Sequence, residues 1–242
     1  MFPIYGMDPQ TNICACGRVN CPEPGAHPIG EWRSQSTVNE EKLKKQKKSH
    51  PSANWGIPLG SSAKQSKWPI VLIAVEISAE AWRSALTEED RSEFQTYSTA
   101  VAATVTYFFD ASHETTAGLA ELRTIKEIIP GITLRGSDDF VLAPGARTAS
   151  GLIEDSNDTP PDTNEDTSHT DQPTDTDQPT ETYHLPQLRP EDLEPNELLQ
   201  YLSRQTYAPI PTIIREKLTE RRLENLADFD DTKLERTERY ET

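Results

Sequence analysis

The pattern of apolar and polar positions divides the chain into three parts of different character. The strongest signal is Ile70-Val-Leu-Ile-Ala-Val-Glu-Ile77, a continuous, largely β-branched run of the kind buried on both faces of a sheet. Around it, Phe2-Pro-Ile-Tyr5 and Asn54-Trp-Gly-Ile57 read as short strands, the second ended by Pro58 and Gly60, and Val101–Phe109 is a second β-rich run. Thr37-Val-Asn-Glu40 has the form of a capping box and opens a lysine-rich segment, Lys42–Lys48. A helix is expected from about Ser78 to Leu86, extending toward Phe94. Another is expected over Ala117–Ile129, where Leu119, Leu122 and Ile125 share a side. Ile132–Leu134 and Phe140–Ala143 are predicted to pair around the turn Gly136-Ser-Asp-Asp139. Residues 1–151 therefore read as one α+β domain, with a core of about five strands and flanking helices.

Residues 152–185 break this pattern. From 152 to 183 there is no Lys or Arg, and Thr170-Asp-Gln-Pro-Thr-Asp175 is followed by the near-copy Thr176-Asp-Gln-Pro-Thr-Glu181. Such a segment buries too little apolar surface to offset chain entropy, and its like charges repel, so a disordered acidic linker is expected. Over 186–242 apolar spacing returns. Leu193, Leu198, Leu199 and Leu202 fit one short helix, and Ile213, Ile214, Leu218, Leu223 and Leu226 fit another. This part is expected to be a helical tail that docks on something or stays partly unfolded, or else a hairpin that binds a protein partner.

Composition sharpens the division. The 242 residues are 34% hydrophobic and carry a formal net charge of -16. Residues 1–150 hold 15 Lys/Arg against 17 Asp/Glu and the remaining 92 hold 9 against 23, so the acidity belongs to the C-terminal part. No apolar run could span a bilayer and no signal sequence opens the chain, so a cytoplasmic protein with no membrane partner is expected.

All three cysteines fall in one Gly- and Pro-rich stretch with a histidine, Cys14, Cys16, Cys21 and His27, in the spacing C-x-C-x4-C-x5-H. Cys3His is a standard donor set for a structural tetrahedral zinc. Three thiols cannot all pair, and Cys14 and Cys16 are too close to bridge easily. Two readings stand, a structural zinc, which the donor set favours, and thiols without a metal.

Four stretches share an order with a known family: the Cys-rich loop ending Pro24-Gly-Ala-His-Pro28, Asn54-Trp-Gly-Ile57 with Gly60, the strand Ile70–Ile77, and Arg135-Gly-Ser-Asp-Asp-Phe-Val-Leu-Ala-Pro144. In this order the chain resembles the N-terminal domain of bifunctional DNA primase-polymerases, the prim-pol branch of the archaeo-eukaryotic primases. The resemblance covers about residues 1–151 and implies a mixed sheet with flanking helices and a zinc-type loop. It also implies nucleotidyl transfer by two hard divalent cations, Mg²⁺ or Mn²⁺, held by clustered carboxylates. The family's Asp-x-Asp or Asp-x-Glu pair falls on Ala74-Val-Glu76, so Glu76 remains and its partner is a methyl group. The family histidine falls on Val105 or Thr106, and His113 lies too far along to replace it. The third carboxylate aligns nearest Ser137, beside Asp138 and Asp139.

The functional expectation is a prim-pol-like replication protein, catalytically degenerate and associated with nucleic acid as an accessory. An active primase-polymerase using Glu76 with Asp138 or Asp139 is the first alternative. A zinc-stabilised interaction module without a nucleic-acid role, binding a protein through 186–242, is the second. DNA or a nucleotide is the expected ligand. Lys44, Lys45, Lys47 and Lys48 form the one local basic patch, read either as a solvated helix face or as phosphate contacts. Glu76 reads equally as a salt-bridge partner, Asp138-Asp139 as turn chemistry, and Trp32, Trp55, Trp68 and Trp82 as packing residues.

Overall fold

The computed structural model describes residues 1–8, 10–60, 71–112, 122–156 and 194–221. The strands among them, in chain order, are β1 (Phe2–Ile4), β2 (Asn54–Pro58), β3 (Leu72–Ser78), β4 (Ser98–Val101), β5 (Thr104–Asp110), β6 (Ile125–Ile129) and β7 (Ile132–Arg135). β8 (Phe140–Leu142), β9 (Arg147–Thr148), β10 (Gly151–Leu152) and β11 (Glu154–Asp155) follow. The helices are α1 (Trp32–Gln35), α2 (Glu40–Ser49), α3 (Ala79–Ser84), α4 (Glu88–Ser92), α5 (Pro195–Arg204) and α6 (residues 212–221). The chain is α+β.

The β-branched run becomes the central strand because both of its faces can be covered. Ile73, Val75 and Ile77 lie in one core, with Trp82 from α3, Phe94, Val105, Phe109 and Leu134. Leu72 and Ala74 lie in a second, with Leu43 from α2, Trp55, Ile57, Phe108 and Val141. β3 pairs antiparallel with β5 and β7 at the centre of a six-stranded sheet ordered β11-β4-β5-β3-β7-β6. A smaller sheet, β1-β2-β8, stacks on the second core. Its outer side is closed by the aromatic cluster of Phe2, Trp32 and Phe140.

Several sequence expectations are corrected. The helix expected over 117–129 is a strand at Ile125–Ile129. Pro130 and Gly131 form a two-residue turn that folds it back on β7, with an irregular register between Ile125 and Ile129. Residues 113–121, including the first part of that helix and His113, lie outside the described residues. Ile132–Leu134 and Phe140–Leu142 do not pair with each other: β7 adds to β3, whereas β8 crosses to the small sheet and pairs with β2. The helix expected from Ser78 toward Phe94 is two, because Thr87 caps a new start at α4 through a reciprocal bond with Asp90. The cap of α2 is Asn39, whose side chain accepts from the Lys42 N–H, and Thr37 accepts from the Asn39 N–H instead. The run Val101–Phe109 is a hairpin of β4 and β5, turned at Ala102 and Ala103.

The chain stays structured to Ser156, past the start expected for the acidic linker. Ile153 is buried and β11 pairs with β4 at the sheet edge. The remainder of that linker, from 157, lies outside the described residues, as does Trp68. The other three tryptophans are at most 9% exposed and pack in the cores. Residues 194–221 lie against the domain. Leu198 and Leu202 enter the second core, and Ile210 and Ile214 the first. All four are at most 1% exposed, and burying each is worth about 1.5–3 kcal/mol. No helix among the described residues is long and apolar enough to cross a membrane.

Gly56 marks where the small sheet has no slack. A Cβ there would lie 2.4 Å from Phe2 Cζ and 2.8 Å from Ile4 Cδ1. Phe2 is held between Trp32 and Phe140, both with ring centroids 5.2 Å away. Gly56→Ala is expected to destabilise the protein by about 1–3 kcal/mol, read as a lowered midpoint in thermal unfolding; an unchanged midpoint would mean that the Phe2 ring can move aside.

Candidate active site and metal-binding loop

The end of β3 delivers Glu76 to a cleft of about 580 Å³. Alternation along the strand puts Ala74 and Glu76 on one face, but Ala74 is fully buried in the second core and only Glu76 reaches the cleft. Strand register places Thr106 of β5 on one side of Glu76 and Thr133 of β7 on the other. Thr106 lines the cleft with Glu76, whereas Val105 points into the opposite core. Of the two candidates for the histidine position, it is therefore Thr106 that faces the site.

Arg135, at the end of β7, occupies the middle of this group. Its Nε lies 2.6 Å from Glu76 Oε1, and its Nη1 donates to Asp139 Oδ2 at 2.7 Å. Asp139 Oδ2 also accepts from the Thr124 hydroxyl, and its Oδ1 accepts from the Phe140 N–H. Burial alone would lower the pKa of the Arg135 guanidinium; the charges of Glu76 and Asp139, and their hydrogen bonds, outweigh it and raise it. Asp138 does not line the cleft. Its carboxylate accepts from the Thr124 N–H at 2.7 Å and its carbonyl from Arg33 Nη2 at 3.1 Å, so it fastens the turn. The structure thus brings Glu76 and Asp139 together through one guanidinium and leaves Asp138 outside.

The Cys14–His27 loop forms another wall of the same cleft through Pro22, Glu23, Pro24 and Ala26. The Cys14, Cys16 and Cys21 sulfurs and a His27 ring nitrogen all lie within 4.8 Å of one another, with Cys14 Sγ 3.4 Å from His27 Nε2. A tetrahedral zinc with Zn–S near 2.3 Å sets its ligands about 3.3–3.8 Å apart, so the donors fit after small shifts. Burial pushes the Cys14 thiol up, but backbone N–H groups of Cys16 and Gly25 and the Cys16 and His27 side chains outweigh it and bring it to about 6. Cys21 is raised, by burial and by its contacts with Cys16 and Cys14. One donor is therefore poised as a thiolate, the form a metal takes. Among the described residues this is the cluster of three or more His, Cys, Asp or Glu donors; Glu76 and Asp139 are joined by no third.

Asn54 ties the loop to the fold. Its Nδ2 donates to the Gly25 carbonyl at 2.7 Å and to the Arg147 carbonyl at 2.8 Å, and its Oδ1 accepts from the Arg147 N–H at 3.1 Å. Gly25 sits at φ +78°, and a Cβ there would lie 2.5 Å from the Arg147 carbonyl oxygen, so loop and β9 can approach this closely only at a glycine.

A model of the family described as bifunctional DNA primase/polymerase, N-terminal, matches residues 2–166. The chain belongs to the Prim-Pol family. No curated protein and no solved structure matches it. Within this Prim-Pol domain the Asn54 and Arg135 stretches mark the family in the sequence, but the sequence carries no sign of what either side chain does. Asn54 is a clamp and Arg135 a counter-ion. The signal available for Arg135 was its place three and four residues before Asp138 and Asp139.

The four lysines lie on α2, away from the cleft. Lys44 pairs with Glu40 at 3.0 Å and Lys47 donates to the Pro51 carbonyl at 2.9 Å, while Lys45 and Lys48 are exposed.

Two outcomes are expected. Metal analysis of the purified Prim-Pol protein should find about one zinc per chain, with Cys16→Ser lowering both zinc content and thermal midpoint; metal-free protein that is indifferent to chelation would refute the site. Asn54→Leu should cost about 2–3 kcal/mol in denaturant unfolding, since it leaves Gly25 and Arg147 backbone groups without partners, and an effect below about 0.5 kcal/mol would remove its role as clamp.

Proposed function

We propose that this Prim-Pol domain has kept the fold of a primase/polymerase and lost its catalysis, and that it acts as a zinc-stabilised, nucleic-acid-associated accessory in DNA replication in the cytoplasm. Family membership supports a primase/polymerase-related function. The observation that carries the loss of catalysis is Arg135, placed between Glu76 and Asp139 and ion-paired with both. Two-metal transfer needs several carboxylate oxygens free to bind Mg²⁺ or Mn²⁺. Here the two available carboxylates are already neutralised in part by a guanidinium. The residue two positions before Glu76 is a buried methyl group, and a threonine stands where the family resemblance implies histidine. A divalent cation would have to displace Arg135 and would then face its charge.

Nucleic-acid contact is supported by the family and by the basic face of α2, where Lys45 and Lys48 are exposed. A second reading, an active enzyme, is favoured by the convergence of Glu76 and Asp139 on one cleft. A primer-extension assay with Mn²⁺ separates the two. No extension above that of Glu76→Ala is expected; extension by the wild-type chain that vanishes in Glu76→Ala would establish the active enzyme. In parallel, single-stranded and primed DNA should bind at low salt. Replacing Lys44, Lys45, Lys47 and Lys48 by Ala should flatten the slope of log affinity against log salt by about 3. No affinity for either DNA at low salt would leave the interaction-module reading, with its protein partner, in place of this one.

A further inference from the structure

The geometry points to a peptide-binding surface on residues 1–156 that the chain fills with its own segment 194–221, so that the folding unit extends beyond the family's match and consists of these two non-covalently joined parts. Three independent contacts carry this. On one side of the six-stranded sheet, Ile210 and Ile214 complete the core that holds Trp82, Phe94 and Phe109. On the other, Leu198 and Leu202 complete the core that holds Leu43, Trp55 and Phe108. Between them the backbone joins the sheet. Ala208 bridges in parallel with Phe109, the Asp110 N–H donates to the Ala208 carbonyl at 3.1 Å, and the Ala208 N–H donates to the Thr96 hydroxyl at 3.0 Å.

The segment thus takes the edge that β4 leaves open. β4 begins at Ser98, opposite Tyr107, so Phe109 and Asp110 at the end of β5 have no β4 partner; Ala208 pairs there in its place, while the Thr206 carbonyl accepts from the Tyr97 N–H. Polar contacts fasten the segment at three further points. The Thr212 N–H donates to Glu93 Oε2 at 2.7 Å, Arg221 Nη2 donates to the Glu127 carbonyl at 2.8 Å, and the Tyr201 hydroxyl bonds Asp155 of β11. Removing the segment would expose apolar surface on both faces of the central sheet at once and take away the partner of the Asp110 N–H of β5. Tolerance to truncation follows burial and hydrogen bonding rather than position in the sequence, and both are high here.

Holding the segment does not require the covalent connection through 157–193, which acts only by raising the local concentration of one part near the other. The test replaces residues 170–181 of the full chain with the recognition sequence of a site-specific protease, cuts the purified protein and passes it over a sizing column at micromolar concentration. The two fragments are expected to elute together at the position of the uncut chain and to part only in denaturant. Separation in native buffer would overturn the proposal, whether or not the larger fragment remained folded. In the uncut chain, Ile214→Asp should lower the thermal midpoint by about 10 °C or more, while Glu216→Gln, on the exposed side of α6, should leave it unchanged. An unchanged midpoint for Ile214→Asp would also overturn it, and if that variant is insoluble the cleavage experiment decides alone.

Discussion

The constraint on which the structure rests is that β3 is apolar on both faces. A strand with Ile73, Val75 and Ile77 on one side and Leu72 and Ala74 on the other must be covered twice, and a single layer of helices cannot do it. The fold answers with different material on each side. One face takes α3, Phe94 and the Ile210/Ile214 part of the C-terminal segment. The other takes the small β1-β2-β8 sheet, Leu43 of α2 and the Leu198/Leu202 helix. The crossing of β8 to the small sheet and the return of the chain at 194 are therefore consequences of one requirement. Each supplies apolar cover that residues 1–60 alone do not provide.

The same strand carries the cleft residue, and this sets what the site can be. Glu76 is where the Leu72/Ala74 face of β3 leaves the core, so a carboxylate there is only partly desolvated and needs a partner. Arg135 is at hand because β7 runs beside β3 with Arg135 opposite Ala74, one step along the same face. A methyl at 74 leaves the guanidinium room to lie across that face toward Glu76. An acidic residue at 74 would add a third negative charge to the group and draw Arg135 toward itself. The methyl at 74 and the ion pairs of Arg135 with Glu76 and Asp139 are thus two sides of one arrangement. Once a fixed cation sits between the carboxylates, Coulomb repulsion opposes a mobile one.

How much of this was legible in the sequence depended on the range of the determining contact. The run Ile70–Ile77, the short strands at 2–5 and 54–57 and the Cys/His donor set were readable because the information is local: unbroken β-branching in one case, ligand types at close spacing in the other. The segment 125–129 was misread because Leu122 and Ile125 satisfy a helical period, and what decides for a strand is β7 folding back through Pro130-Gly131. Phe140–Leu142 was misread in the same way. Its hairpin with 132–134 is the nearest pairing in sequence, but β2 offers it a better-covered place. In the tail, the periodic leucines and isoleucines were visible, and their partners across 37 intervening residues were not. For the cleft, Glu76 and the Asp138-Asp139 turn could be named in advance, but which aspartate faces in follows from the Thr124 N–H holding Asp138 on the outside.

Asn54 holds the Cys/His loop against the cleft that Glu76 and Asp139 line. The loop wall at Pro22–Ala26 and the wall at Thr148–Ser150 face the same space and are joined by the Ala149 N–H bond to the Pro24 carbonyl at 3.2 Å. Asn54, itself 4% exposed, satisfies backbone groups of both walls at once from the small sheet beneath. Unfastening the loop would therefore do more than free a surface excursion. It would take the Gly25 carbonyl from the buried Asn54 amide and uncover β1, which meets the loop at Ile4 opposite Pro28 and through the Tyr5 N–H bond to the His27 carbonyl. Ala74, by contrast, is fully buried beside Phe108 of β5 and brings no polar group to the fold. The side chain at 74 fastens nothing by hydrogen bonding, whereas Asn54 fastens both walls of the cleft.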